Sequence, residues 1–148
     1  MSDVVFRRAR REDLGAIVAL YEADYLHAGK EPSRADRTEA FEEIDGDPRE
    51  MLIVAERAGR VIGTLQLTIL RHLTYGGARV GLIEAVHVAE SERSRGVGAA
   101  MVRFAIDEAK KRRCHRVQLT SNKARKDAHR FYERLGFVAS HEGFKLYL

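Results

Sequence analysis

Hydrophobic residues near the N-terminus recur at helical spacing. Between positions 14 and 21 a leucine, an isoleucine, a valine and a tyrosine fall at i, i+3, i+4 and i+7, so one stripe of a helix would be apolar. This pattern predicts a helix over Glu12–Tyr25, after a short strand over Val4–Arg8. A weaker helical pattern covers Ala35–Ile44 and ends at the Asp-Gly-Asp-Pro breaker that follows it.

The period then changes to alternation, which is typical of strands. The alternation predicts three consecutive strands, Met51–Glu56, Arg60–Leu70 and Ala78–Val88. Ala58-Gly59 and Tyr75-Gly76-Gly77 lie between them, where turns are expected. The third strand has the densest apolar residues, which places it near the centre of the sheet.

The C-terminal part alternates between helices and strands. The predicted elements are a helix that follows Gly98 and ends near Arg112, a strand over Arg116–Thr120, a helix over Asp127–Leu135, and a final hairpin of Phe137–Ala139 and Phe144–Leu148. Consecutive strands pair antiparallel, whereas a strand-helix-strand unit requires a parallel crossover. The pattern therefore predicts one α/β domain over residues 1–148 with a mixed sheet.

Composition and charge exclude several classes of protein. The 148 residues are 45% hydrophobic and 32% charged, a balance that is too apolar for disorder. No apolar run predicts a membrane span or a secretory signal, and the single cysteine, Cys114, allows no internal disulfide. We therefore expect a cytoplasmic protein. The net charge of +4 permits a polyanionic partner without identifying one.

A glycine-containing turn, Arg93-Ser94-Arg95-Gly96-Val97-Gly98, lies between the predicted central strand and a strong helix. The first amides of a helix have no intrahelical partner and can bind an anion. The turn therefore predicts a pyrophosphate site, with a tight turn that binds nothing as the alternative. Met101 stands where a dinucleotide motif requires its third glycine, and a P-loop Gly-Lys-Ser/Thr is absent.

Two motifs together resemble those of a known enzyme family. The turn Arg93-x-x-Gly96-x-Gly98, placed after the strand Leu82–Val88, resembles the acyl-CoA motif of the GCN5-related N-acetyltransferases, the GNAT family. The family's second motif is matched by Asn122, Ala128, Phe131-Tyr132 and Leu135-Gly136-Phe137. The C-terminal third is also similar to aminoalkylphosphonate N-acetyltransferases. The resemblance implies a GNAT-like α/β (α+β) fold: a central mixed, mostly antiparallel sheet of about seven strands with four helices, splayed at the fourth strand.

The resemblance also implies a reaction, the transfer of an acetyl group from acetyl-CoA to a primary amine, with a small molecule favoured. The amine would attack directly, through a tetrahedral intermediate. Backbone groups of Val86, His87 and Val88 would pair with the pantetheine arm, and Asn122 would hydrogen-bond the coenzyme. The pyrophosphate would be bound by the amides of Arg93, Ser94, Arg95, Gly96, Val97, Gly98 and Ala99.

Two side chains are implied to transfer protons. Tyr132 would contact the coenzyme and act as the general acid, because a phenol can protonate the leaving thiolate. Glu84 is the candidate base for the amine, either directly or at the end of a water chain, and His87 and His141 are lesser candidates. The structural alternatives are a core tyrosine and a salt-bridged glutamate. Asn122 could likewise be only a turn residue.

The remaining candidates concern the acceptor and other chemistry. By family analogy, the acceptor pocket is lined by the loop His27–Arg37 and the hairpin Ser140–Gly143. Arg34, Arg37 and His141 are candidates for an anionic group on the substrate, or else ordinary solvated charges. Cys114 is interpreted as buried filler rather than an acyl-enzyme nucleophile. The six histidines show no zinc-motif spacing, so no metal is predicted.

Two other functions stay open at this point. One is an acyl-CoA-binding sensor without catalysis. The other, which is less favoured, is a basic nucleic-acid-binding domain, with clusters such as Lys110–Arg113 and Lys123–Lys126 but no recognised nucleic-acid motif. We expect no membrane or nucleic-acid partner. A homodimer is an expectation from the family alone.

Overall fold

The computed structural model describes residues 3–27 and 36–148. The chain forms two compact units, of which the first ends at Gln118 and the second is Leu119–Leu148. A single domain over residues 1–148 stays a prediction. No helix in the described part of the chain is long and apolar enough to cross a membrane.

The first unit contains, within its described residues, five strands and four helices. The strands are β1 Val4–Arg8, β2 Glu50–Arg57, β3 Arg60–Arg71, β4 Arg79–Val88 and β5 Cys114–Gln118. The helices are α1 Leu14–His27, α2 Thr38–Gly46, the single turn α3 Thr74–Gly77 and α4 Val97–Lys111. Short 3-10 turns at Arg11–Asp13 and Glu90–Glu92 precede α1 and the glycine turn.

The five strands form one sheet in the order β1-β2-β3-β4-β5. The first three neighbouring pairs are antiparallel, and β4 and β5 are parallel. The mixed, mostly antiparallel sheet is therefore confirmed, including the parallel crossover through α4. The hairpin turn between β2 and β3 is also confirmed, because Ala58 and Gly59 both have positive φ values of 49° and 77°.

The predicted numbers of strands and helices are wrong. Residues 3–27 and 36–148 contain five strands instead of the expected seven. With α3 and with α5 (Lys126–Arg134) of the second unit, the described helices number five rather than four. The sequence predicts a turn where α3 lies. The structure keeps that character, since Tyr75 and Gly76 have left-handed backbone conformations within it.

The predicted C-terminal hairpin is not present. Neither Phe137–Ala139 nor Phe144–Leu148 is a strand. The alternation at 144–148 suggested a strand, but a strand requires a partner for its backbone groups, and no backbone hydrogen bond within the second unit pairs these residues. The side chains of Phe144, Leu146, Tyr147 and Leu148 are exposed.

Both faces of the sheet are covered by helices. Leu65 and Leu67 of β3 are fully buried on one face. The Cβ of an alanine at Gly81 would lie 3.3 Å from Leu67 and 3.2 Å from Ala109, which places α4 over that face. Leu52 and Val54 pair in register with Gln66 and Thr64 and therefore lie on the other face. There they pack with residues of α1 and α2, Ile17 and Phe41.

Replacing leucine by alanine at a buried and at an exposed position tests this core. Leu65 is 0% exposed and Leu73 is 98% exposed. Leu65→Ala should lower the free energy of unfolding by about 2–5 kcal/mol, because it leaves a cavity. Leu73→Ala should change it by no more than about 0.5 kcal/mol. Urea denaturation measures both, and equal losses would contradict the placement of β3.

Candidate functional site

The end of β4 is interrupted by a β-bulge. Gln66 of β3 pairs with Glu84 and Thr64 pairs with His87, so a single β3 residue lies opposite two residues of β4. Ala85, one of those two, has a φ of 54°, which non-glycine residues rarely adopt. Because Gln66 and Thr64 are two residues apart, the bulge places Glu84 and His87 on the same face of β4.

That face is the one covered by α1. Thr64 and Gln66 alternate with the buried leucines that face α4, so their partners Glu84 and His87 lie on the opposite side. The rings of His87 and Tyr21 of α1 have centroids 4.9 Å apart. Without the bulge, residues three apart in a strand would point to opposite faces. The extra residue in β4 therefore brings two proton-transferring candidates to one surface.

The second edge of β4 is unpaired over the same stretch. Parallel pairing with β5 runs from Arg79↔Cys114 to Leu82↔Gln118. Beyond Leu82, the described part of the first unit gives β4 no second strand neighbour. Backbone groups on that edge need a hydrogen-bond partner. An extended ligand could pair there in the manner of an added strand.

The glycine turn leads directly into α4. Gly96 is the residue before the helix and has a left-handed φ of 83°. The first amides of the helix, those of Val97, Gly98 and Ala99, lack intrahelical partners, and no described side chain caps them. Uncapped amides at a helix start favour an anion. The turn thus fits a pyrophosphate group in both backbone conformation and electrostatics.

The two arginines of this turn are paired with carboxylates. Arg93 Nη2 donates to Asp24 Oδ1 at 2.6 Å, and Arg93 Nε donates to the Val88 carbonyl at 3.3 Å. Arg95 Nη1 donates to Glu92 Oε2 at 3.3 Å. Both guanidinium groups are substantially exposed, and solvent weakens such pairs. Either arginine could therefore exchange its carboxylate for a phosphate at modest cost.

Asp24 of α1 is the residue that sequence reasoning missed. One carboxylate oxygen accepts from Arg93, and the other pairs with His87 Nδ1. The available signal was its position: Asp24 lies seven residues after Ile17 and therefore continues the apolar stripe of α1. An acidic residue on such a stripe usually has a partner.

Glu84 and Cys114 differ in their surroundings. The Glu84 side chain is exposed and makes no hydrogen bond or ion pair with a described residue of the first unit. Among those residues, it therefore lacks the salt bridge that the structural alternative requires. Cys114 starts β5 and is half-buried, and burial raises the pKa of its thiol. An activated cysteine has a lowered pKa, so Cys114 lacks the environment of a nucleophile.

Asn122 and Tyr132 belong to the second unit. Asn122 Oδ1 accepts from the Ala124 amide at 2.9 Å, which is the geometry of a turn residue. The Tyr132 ring packs edge-on against Phe131 and Phe137, with centroids 5.0 and 5.8 Å away. Burial raises the pKa of the Tyr132 hydroxyl above its ordinary value. Tyr132 therefore carries its proton at neutral pH.

The predicted acceptor residues are described only in part. Most of the loop His27–Arg37 lies outside the described residues, since 28–35, and with them Arg34, are not described. Arg37 directly precedes α2 and is half-buried. His141 is exposed, and its Nδ1 lies 2.7 Å from Ser140 Oγ.

Comparisons with known proteins agree with the two motifs. A family model described as acetyltransferase (GNAT) family matches residues 14–137. The chain is 33% identical over 98 residues to the aminoalkylphosphonate N-acetyltransferase of Salmonella typhimurium, which covers 66% of this chain and 63% of that protein. It is 36% identical over 88 residues to the glucosamine 6-phosphate N-acetyltransferase of Trypanosoma brucei brucei, covering 60% and 58% respectively.

A solved structure is similar over nearly the whole chain. It is the crystal structure of a transcriptional regulator from Bacillus halodurans C-125, 40% identical, covering 98% of this chain and 99% of that one with a TM-score of 0.91. In contrast, the chain spans less than two thirds of the length of the two curated relatives, 63% and 58%.

Two substitutions in the turn test its backbone conformation without any ligand. Gly96→Ala forces alanine into a left-handed conformation, which should cost about 1–2 kcal/mol of stability. Ser94 has a φ of 62°, so Ser94→Gly removes the same kind of strain and should leave stability unchanged or slightly higher. Urea denaturation of both variants is the measurement. A loss of similar size in Ser94→Gly would contradict this account of the turn.

Proposed function

Because the chain belongs to the GNAT acetyltransferase family, we propose that it transfers an acetyl group from acetyl-CoA to the primary amine of a small molecule. The observation that carries the proposal is the unpaired edge of β4 beyond Leu82, which precedes a glycine turn with uncapped helix amides. The edge of β4 fits an extended chain that contains amide groups, and the helix amides fit a pyrophosphate. Acetyl-CoA contains both of these groups.

We assign the coenzyme's groups to backbone rather than to side chains. Residues 93–99 would hold the pyrophosphate with their amides, helped by Arg93 and Arg95 once these release their carboxylates. Backbone groups of Val86, His87 and Val88 would pair with the pantetheine arm. Asn122 would hydrogen-bond the coenzyme, a role that rests on the motif alone.

The chemistry requires the amine to lose a proton and the thiolate to gain one. The amine nitrogen attacks the thioester carbon directly, and a β4 amide would stabilise the oxyanion of the tetrahedral intermediate. Glu84 would accept the amine's proton, directly or through water. Its exposure supports this role, as does the lack of an ion pair with any described residue of the first unit. Collapse of the intermediate then breaks the carbon–sulfur bond.

Tyr132 would supply the proton that the leaving thiolate takes up. This role rests on the motif, and the raised pKa of the hydroxyl is consistent with it. A phenol that stays protonated throughout the neutral range has a proton available to donate to the developing thiolate.

The acceptor that we favour carries an anionic group. The two curated relatives are named for an aminoalkylphosphonate and for glucosamine 6-phosphate. Each of these compounds has an amine and a phosphorus-containing acid. Arg37 and His141 are the described candidates for that acid, and a guanidinium suits it because it can bind two oxygens at once.

A second candidate function is favoured by the similar structure described as a transcriptional regulator. In that case the chain would bind acetyl-CoA as a sensor without catalysis, or would bind nucleic acid. Tight acetyl-CoA binding without turnover on any amine would indicate the sensor. Retention on DNA that collapses at moderate salt would indicate phosphate-driven binding.

Thiol release tests the reaction and the acid together. The wild-type protein, mixed with acetyl-CoA and a panel of small amines that includes aminophosphonates and amino-sugar phosphates, should release free thiol. Tyr132→Phe should lower kcat by about a hundredfold, since general acid catalysis contributes on that scale, with little loss of coenzyme affinity. Tyr147→Phe, at an exposed tyrosine, is the control and should have no effect. If Tyr132→Phe kept full activity across pH, Tyr132 would not be the general acid.

The pH dependence of a second variant tests Glu84. Glu84→Gln should lower kcat/KM by about tenfold or more near pH 7. The deficit should shrink at higher pH, because a larger fraction of the amine is then already deprotonated. Asp107→Asn, at an exposed carboxylate of α4, should match the wild type. A deficit that is constant across pH would argue against a base at Glu84.

A further inference from the structure

The Asp24 carboxylate fixes both the orientation and the tautomer of His87. A carboxylate can only accept, so the Nδ1 of His87 must carry a hydrogen that it donates to Asp24 Oδ2. In the neutral ring this leaves Nε2 as a hydrogen-bond acceptor with a free lone pair. The Tyr21 ring packs against the imidazole from the same helix and restricts it further.

The position of His87 on β4 links this pair to the proposed base. The β-bulge places His87 on the same face as Glu84, the proposed base. Asp24 lies near the C-terminal end of α1, three residues before His27.

We propose that His87 relays the proton from the attacking amine towards Glu84, and that Asp24 is its positioning residue. The proposal rests on the proposed function and adds a step to it. As the carbon–nitrogen bond forms, the amine's proton passes to His87 Nε2, and the ring becomes an imidazolium. The imidazolium then releases that proton through water to Glu84, which returns it to the solvent, and His87 is again neutral with its hydrogen on Nδ1.

The groups that face His87 come from α1 and β3. From α1, His87 is faced by the Asp24 carboxylate and the Tyr21 ring. Asp24 also pairs with Arg93, which follows β4 in the sequence. From β3, His87 is faced by the uncharged Thr64. The His87 and Asp24 side chains are 20% and 31% exposed, which leaves a route for water.

The experiment measures thiol release with acetyl-CoA and the best amine of the panel, across pH. His87→Gln and Asp24→Asn should each lower kcat by about tenfold or more. The double variant should be no worse than the poorer single one, because residues that act as one unit are not additive. The dependence of kcat/KM on pH should differ in shape between His87→Gln and the wild type. Added imidazole should restore part of the activity of His87→Ala, which a purely structural role would not allow.

A matched control separates the relay from the general effect of breaking an ion pair. Asp47 pairs with Arg49 and is 30% exposed, almost the same as Asp24 at 31%. Asp47→Asn should leave kcat and the pH profile unchanged. Nitrogen-15 NMR of the wild-type protein should show hydrogen on Nδ1 of His87, and this measurement does not depend on how the variants fold.

The outcomes distinguish the relay from the proposed function. If the wild type is active and both single variants keep its rate and pH profile, the relay is wrong and the acetyltransferase stands. Hydrogen on Nε2 of the neutral ring would also overturn the relay alone. If the wild type binds acetyl-CoA and releases no thiol with any amine, the proposed function fails, and the relay fails with it.

Discussion

The extra residue in β4 is the constraint on which the geometry of the first unit's candidate residues depends. It lies just past the point where pairing with β5 ends. The bulge decides which β4 side chains share a face, and the end of pairing decides where backbone groups are left without a strand partner. Removing the bulge would turn His87 away from α1 and break its bond to Asp24, because a shift of one residue reverses every side chain beyond it.

Ala85, the alanine in the bulge, strains the backbone but makes it more rigid than glycine would. Ala85 adopts a left-handed φ of 54°, a conformation that costs a non-glycine residue about 1–3 kcal/mol when the surrounding structure imposes it. Glycine would avoid that strain, but it would give the unfolded chain more freedom and the folded strand less rigidity. The strained residue Ala85 therefore belongs to the bulge that fixes the spacing between Glu84 and His87. A role in proton transfer would require both side chains to be held in place.

Periodicity was sufficient for the elements that bury a regular face. β2, β3, β4 and α4 are within two residues of their predicted bounds, because burial and hydrogen bonding require their alternation or helical stripe. The residues 144–148 show the same alternation without forming a strand. The bulge was not predictable, since Ala85 has no turn or glycine signature, and the partner of His87 was not, because Asp24 is 63 residues away in sequence. Contacts of that kind depend on topology, which local patterns do not encode.

Local sequence patterns also predict only some of the residues of the candidate site. The glycine turn could be interpreted from sequence because its function lies in the backbone, and Gly96 must adopt a left-handed conformation there. Asp24 carries no motif, yet its two oxygens join α1 to β4 and to the segment that leads into α4. The Asp24 carboxylate bonds to His87 with one oxygen and to Arg93 with the other, so a single side chain orients both partners. Because it is only partly exposed, water weakens the two bonds less than it would on an open surface. The orientation of His87 therefore depends on a helix that the acyl-CoA motif does not include.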